Sequence, residues 1–395
     1  MVFSSLTALP RSMRSLSGMA ALFFILISTS VLAQQPKTKN IIIVTLDGYR
    51  WQELFAGPDH RILFNPKYVK DTTVWNQFAG LSEIDSRAKL MPFFWNVIGA
   101  QGQLYGNRRY RNKANCSNRH LLSYPGYSEM LVGFTDPAVT SNRLNVNPNA
   151  SVLEFIQKQN DFRNRVAAFS TWDAFPYILR EEQSGIYINA GADTIAEGDI
   201  SRQERWLNKN QSVVKNPHGA RYDAFTFRYA MEYLRREQPR VMFIGFDETD
   251  EHAHGGRYDE YLKSAHQADQ MIAELWQWVQ SQSEYRDQTT LLITTDHGRG
   301  KGRHWWKKHS LLAPGSRQIW FAVLGPDTPA FGEMKTSVKH FQKQMAKTIA
   351  AFLGLNFQQP EPIGEVVQTM LAVPDLSFPA STTANSERDN QRNED

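Results

Sequence analysis

The sequence predicts an α/β fold in which a mainly parallel sheet is flanked by helices on both faces. Three observations carry that expectation. A continuous β-branched run at 40–47, whose form recurs at 240–247 and 289–296, closes each time on an aspartate, and such runs suit strands buried on both faces. Apolar residues at helical spacing over 224–237 and 258–282 precede the second and third runs, and that alternation is typical of a parallel sheet. The chain has 395 residues, 41% hydrophobic and 21% charged, which excludes a disordered or fibrous protein.

Taken along the chain, residues 1–33 combine a basic start (Arg11, Arg14), an apolar run over 18–33 and a Val31-Leu32-Ala33 end. This predicts a secretory signal peptide and a periplasmic or secreted protein folded over 34–377. No later stretch approaches the roughly 20 apolar residues of a membrane span. A formal charge of +4 without any long basic block gives no nucleic-acid-binding signature. The single cysteine, Cys116, excludes an internal disulfide and a Cys-rich zinc module.

The strand at 40–47 opens the fold. The aromatic, turn-rich stretch 52–111 is expected beside the sheet or over its site. A polar start with Pro125 and Gly126 leads into a helical stretch, 127–132. Residues 150–159 look helical, 165–169 look like a short strand, and the polar stretch 191–217 looks like a surface excursion. An amphipathic helix is expected within 331–353. The tail at 378–395 has almost nothing to bury and is expected to be disordered.

In parallel sheets, ligands gather at the carboxyl ends of strands, so Asp47, Asp250 and Asp296 should converge. Asp250 and His254 stand four residues apart and can face one point; Asp296 and His297 are adjacent at a strand end. Carboxylate oxygen with imidazole nitrogen suits Zn²⁺ and similar ions. The donors outnumber what one catalytic zinc requires, so two divalent metals fit better, with Zn²⁺ favoured and Mn²⁺ the alternative. His252 and His266 lack the spacing and read as structural. Taken one at a time, each aspartate reads as a cap; together, with two histidines, they do not.

The serine at 123 could by itself be no more than a helix cap. In order, however, the chain carries Asp47-Gly48, Ser123-Tyr-Pro with Gly133 ten residues on, Asp250-x-x-x-His254 and Asp296-His297-Gly298. This series resembles the alkaline phosphatase superfamily, and within it the nucleotide pyrophosphatase/phosphodiesterase branch. The resemblance implies an alkaline-phosphatase-like sandwich and a hydrolase of small phosphate esters or nucleotides. It implies Ser123 as nucleophile, forming a phosphoseryl intermediate. It implies one metal on Asp250, His254 and a distal histidine, and a second on Asp47, Asp296 and His297. For the distal histidine, His309 is favoured over His304, because it precedes a further apolar run, 319–325. An asparagine binding a phosphoryl oxygen would be Asn142, with Asn145 the fallback. Two departures stand out: Gly126-Tyr127 where the branch has Asn-His, and Thr249 where it has Pro.

Four rival functions carry less. A sulfatase needs Cys or Ser followed by x-Pro-x-Arg, but Tyr127 occupies the arginine position and Cys116 has no such proline. The phosphoglycerate mutases that share this metal logic are glycolytic, which a signal peptide argues against. An alkaline phosphomonoesterase would need added cations near the phosphate; Lys113, Arg119 and Arg180 are the candidates. A non-catalytic metal-binding protein would not need a nucleophile. The aromatic segment 172–177 could stack a base or aryl group, although core packing is the favoured reading.

Overall fold

The β-branched run that opens the domain is bonded on both edges, and every residue along it is buried. The computed structural model describes residues 36–196, 200–214 and 220–372; the expected signal peptide (1–33) and C-terminal tail (378–395) lie outside the described residues. The strands are β1 Asn40–Leu46, β2 Gln103–Tyr105, β3 Asn112–Asn115, β4 Val166–Ser170, β5 Tyr187–Ala190, β6 Val241–Phe246, β7 Thr289–Thr294, β8 Gln318–Ile319, β9 Phe321–Leu324, β10 Gly332–Glu333 and β11 Val338–Phe341. Eight of them form one sheet in the order β10-β2-β9-β7-β1-β6-β4-β5, and β11-β3-β8 form a second, small sheet.

From β7 to β5 every neighbour is parallel; β9 runs antiparallel to both β7 and β2. The predicted mainly parallel sheet is therefore present, with an antiparallel strand toward one edge. Leu46 pairs with Phe246, and Thr45 with Thr294. The three strands thus end level, and whatever follows each of them emerges at the same edge.

Alternation along β1 divides the core in two. Ile42, Val44 and Leu46 face a core shared with the helices Asp223–Glu237 and Tyr258–Ser281. In the latter helix Tyr261, Leu262, Ala265, Ala268, Ile272, Leu275 and Val279 are buried, an i, i+3/i+4 stripe. Ile41 and Ile43 face the opposite core, with the helices Ser123–Val132 and Met345–Phe352. The expected amphipathic helix within 331–353 is thus Met345–Phe352, after β10 and β11.

The stretch 52–111 packs on the first face through short helices that bury Leu54, Phe55, Ile62 and Phe78. The polar stretch 191–217 differs from the expected excursion, because it contains the helix Arg202–Val213. A Ser201/Glu204 capping box fixes its start, and Leu207 is its buried anchor. One buried apolar side chain under an otherwise polar helix leaves little periodic trace in sequence. Among the described residues, no helix is long and apolar enough to cross a membrane.

Candidate metal centre and nucleophile

Asp47 leaves the end of β1 and is followed by Gly48, whose φ is +59°. A Cβ there would stand 2.6 Å from Asp250 Oδ1 and 2.9 Å from Arg299 Nε, so only glycine lets the loop turn over the cluster. The Gly48 N–H donates to Asp296 Oδ1 (3.0 Å), which ties the β1 and β7 ends together. The opposite oxygens, Asp47 Oδ1 and Asp296 Oδ2, are buried and accept no hydrogen bond. They lie 3.6 and 3.4 Å from His297 Nε2. Burial raises both carboxyls, Asp296 to about 7; repulsion from Asp296 and Asp250 adds to it at Asp47, and repulsion from Asp250 adds to it at Asp296. Orphaned buried acceptors converging with an imidazole nitrogen fit a divalent cation, and the three residues form a candidate ligand group.

Asp250 lies in the short helix Glu248–His254 that follows β6. His254 Nε2 is 3.0 Å from Asp250 Oδ2 and 2.9 Å from His309 Nε2. Asp250 and His309 also group with His297 as candidate ligands, and His254, half exposed, stands at their rim. The rings of His297 and His309 stack at 3.8 Å. Both Nδ1 atoms face carbonyls, Gly298 O at 3.1 Å and Leu121 O at 2.8 Å, so each Nδ1 is the protonated nitrogen and donates. That leaves each Nε2 lone pair facing the cluster. Burial lowers both imidazoles, His309 to about 4, so they remain neutral. Burial alone would raise Asp250, but Arg299, His309 and His254 outweigh it and hold that carboxyl well below its ordinary range.

His309 reaches the cluster because its loop is pinned. Trp306 is fully buried against Tyr68, Tyr258 and Tyr261. His304 is exposed and accepts from Arg303 Nε at 2.9 Å. The structure brings His309, not His304, to Asp250.

Ser123 is the first residue of the helix Ser123–Val132, and its side chain does not cap that helix. Its hydroxyl is 3.3 Å from His297 Nε2 and, given the histidine tautomer, donates to it. Asn142 Oδ1 accepts from the Tyr124 N–H at 3.0 Å, which leaves the Asn142 amide group as the available donor. Asn145 meets this helix through its backbone, its carbonyl accepting from the Tyr124 hydroxyl. With the Tyr124 N–H engaged and Pro125 lacking one, the helix start offers fewer free donors than an ordinary N-terminus.

The two departures from the family pattern have physical reasons. A Cβ at Gly126 would fall 2.4 Å from Asp296 O, so glycine lets the serine helix lie against the β7 end. Tyr127 donates from its hydroxyl to Asp47 Oδ2 at 3.1 Å. Thr249 donates to the Asp47 carbonyl at 2.6 Å, a bond a proline could not make. Sequence reasoning missed Tyr127 as a site residue and also missed Arg299. The Arg299 guanidinium is buried on Asp250, with Nε and Nη1 unpartnered. The Asp-His-Gly-Arg run displayed Arg299, but nothing local told a buried partner from a surface charge.

Other candidates fall outside the cluster. His266 Nδ1 donates to Leu90 O at 2.9 Å, as a structural histidine. Arg180 is committed to Glu154 and to the Asn147 and Pro148 carbonyls. Lys113 and Arg119 are exposed. Cys116 is buried, which raises its thiol well above the ordinary range and keeps it unreactive.

The sequence model of a family described as type I phosphodiesterase / nucleotide pyrophosphatase matches residues 85–350. The match begins after Asp47, which the sheet then brings to the matched residues. No curated protein matches the chain in sequence. In fold it is similar to the Listeria monocytogenes lipoteichoic acid synthase LtaP, at 14% identity and a TM-score of 0.53, over 85% of this chain and 76% of that one. It is also similar to a phosphonate monoester hydrolase from Silicibacter pomeroyi, at 11% identity and a TM-score of 0.54, covering 86% and 78% of the two chains. A third likeness is to murine ectonucleotide pyrophosphatase/phosphodiesterase 5, solved as an inactive form with AMP, at 11% identity and a TM-score of 0.50, covering 84% and 100%.

Proposed function

The chain belongs to the type I phosphodiesterase / nucleotide pyrophosphatase family, hydrolases acting on phosphate esters, and from that premise we propose a two-cation phosphodiesterase working through a phosphoserine at Ser123. The observation that carries this reading is the pair of orphaned oxygens, Asp47 Oδ1 and Asp296 Oδ2, facing His297 Nε2 beside the Ser123 hydroxyl. Asp47, Asp296 and His297 would hold one cation, and Asp250, His254 and His309 the other. The mixed oxygen and nitrogen donors favour Zn²⁺, with Mn²⁺ the alternative. Cations held there would lower the pKa of nearby hydroxyls and water and neutralise phosphoryl charge.

The chain's own residues do the rest. Ser123 Oγ gives up its proton to solvent and attacks phosphorus, the bond from phosphorus to the departing ester oxygen breaks, and the leaving alkoxide takes a proton from solvent. Water then attacks the phosphoserine and frees Ser123 Oγ. Asn142 Nδ2 donates to a phosphoryl oxygen. Tyr127 orients Asp47, and Arg299 keeps Asp250 ionised. Diester rather than monoester cleavage is favoured by the family match, and Arg180, committed to Glu154, does not meet the extra charge of a monoester. The substrate would be a small phosphate ester or nucleotide, met in the periplasm or outside the cell after signal-peptide removal near Gln34.

The test is a panel of p-nitrophenyl phosphate, bis-p-nitrophenyl phosphate, p-nitrophenyl sulfate and a p-nitrophenyl nucleotide ester, each with Zn²⁺ and with Mn²⁺. The diesters should be cleaved fastest. A preference for the sulfate or the monoester would overturn the reading.

A further inference from the structure

Between Asp296 and Asp327 the chain has six basic residues and no acidic one, although the whole chain is nearly balanced at 44 to 40. Three of the six are spent on the fold. Arg299 is buried on Asp250, Arg317 donates to the Cys116 and Ser117 carbonyls, and Lys307 packs over the Tyr68 ring. Lys301, Arg303 and Lys308 are exposed and pair with no carboxylate among the described residues.

The same loop displays apolar side chains. Leu311 and Leu312 are 63% and 81% exposed, and Trp305, also exposed, lies under the Lys308 ammonium (5.8 Å from the ring centroid). The loop is not free to fold them away. Trp306 is buried, the Gly300 N–H donates to Lys308 O, and the Lys301 N–H donates to Pro314 O, both at 2.9 Å. His309 Nδ1, donating to Leu121 O, ties the loop to one end of the segment that carries Ser123. At the other end, Asn142 and Asn145 tie a second loop to Tyr124, and there Arg143, Leu144 and Val146 are exposed. Cations and exposed apolar side chains thus stand together at both ends of that segment. Cations alone would suit any polyanion, but a soluble polyanion offers the leucines nothing to enter. A second copy of the chain would set like charges against each other across a two-fold interface. An anionic lipid surface suits both sets: phosphates meet the basic heads, and the leucines and the indole enter the acyl boundary.

We propose that the loop over residues 301–312, with residues 143–146 beside it, docks the protein on an anionic phospholipid bilayer. The inference goes beyond the phosphodiesterase reading and does not depend on it, because docking is read as binding without catalysis.

Sedimentation with vesicles decides it, using metal-loaded protein that begins at Gln34, so that the apolar run over 18–33 cannot bind lipid. Phosphatidylcholine vesicles with about 30% phosphatidylglycerol should carry the protein down, pure phosphatidylcholine should not, and about 0.5 M NaCl should release it. Lys301→Glu with Arg303→Glu should weaken binding about 25-fold, and Lys308→Gln, about fivefold weaker, serves if that pair folds poorly. Leu312→Ser should weaken vesicle binding about tenfold yet leave retention on a heparin column unchanged. Leu81→Ser, at a fully exposed leucine whose N–H donates to Asp85, should bind vesicles like the wild type. Absent binding to the anionic vesicles overturns the proposal. So does an undiminished Leu312→Ser, which would mark a site for soluble polyanions, or an equal loss in Leu81→Ser, which would mark unspecific adsorption.

Discussion

Two buried charged clusters lie within a few residues of each other, and they are built differently. In the first, Arg50 and Glu53 are fully buried and closed. Arg50 Nε donates to Glu53 Oε2 at 2.8 Å, Nη1 to Gly300 O at 3.1 Å, and the Tyr258 hydroxyl to Glu53 Oε1 at 2.7 Å. In the second, three residues upstream of Arg50, the carboxylates of Asp47 and Asp296 keep orphaned oxygens against neutral histidines. A buried charge is tolerated when it is paired and hydrogen-bonded. The first cluster meets that condition from within the chain and braces the loops after β1 and β7. The second meets it only with something added, which marks it as a site and the first as scaffold.

The largest effect expected from this contrast is on turnover. Ser123→Ala should lower kcat by about three powers of ten or more while metal content measured by elemental analysis stays at the wild-type level. Near-normal kcat would remove Ser123 from the chemistry and reduce it to a packing residue. On the scaffold side, Arg50→Met leaves Glu53 buried and unpaired and should cost about 3–5 kcal/mol in denaturant unfolding. In the site the sign reverses. Chelated Asp296→Asn should be at least as stable as chelated wild type, because it loses a repelling carboxylate, yet it should lose cation-induced stabilisation in thermal melts. A large loss of stability in the chelated variant would mean that the two clusters are not different in kind.

The pH dependence is smaller and has a defined sign. Asp296 is raised from 3.8 to about 7, so in the metal-free protein its contribution to stability is full below pH 3.8 and lost as pH rises through 7. His309 is lowered from 6.5 to about 4, so its contribution is full above 6.5 and lost as pH falls through 4. The two oppose each other between about pH 4 and 6.5. Above that window only the carboxylate contribution still changes with pH, and chelated protein should lose stability as pH rises from 6.5 to 7 while loaded protein does not. Cation binding at pH 6 should also release protons, detectable by calorimetry in buffers of different ionisation heat, and release them less at pH 8.

Much of the site was legible in the sequence because it depends on strand ends. From Ile41 in β1 and throughout β7 the strands are unbroken runs of apolar and β-branched residues, so the chain turns where Asp47 and Asp296 appear, and parallel pairing brings those turns together. The His254 and Asp250 pair was legible because four residues of helix bring both to one side. Tyr127 and Arg299 were not legible in that way. Tyr127 reaches Asp47 only because Gly126 lets two elements touch, and Arg299 is buried only because the loop carrying it is folded under by Trp306. Both facts depend on packing between segments far apart in sequence. The helix Arg202–Val213 was hidden for a related reason, since its one buried leucine leaves no periodic stripe.

The central claim is that the orphaned cluster is a two-cation centre held by Asp47, Asp250, His254, Asp296, His297 and His309. Its most direct test counts metal per chain after reconstitution with Zn²⁺, by elemental analysis of the wild type, His309→Ala and His304→Ala. The account predicts two ions in the wild type, close to one in His309→Ala and two in His304→Ala. One ion in the wild type, or loss on removing His304 and not His309, would contradict it.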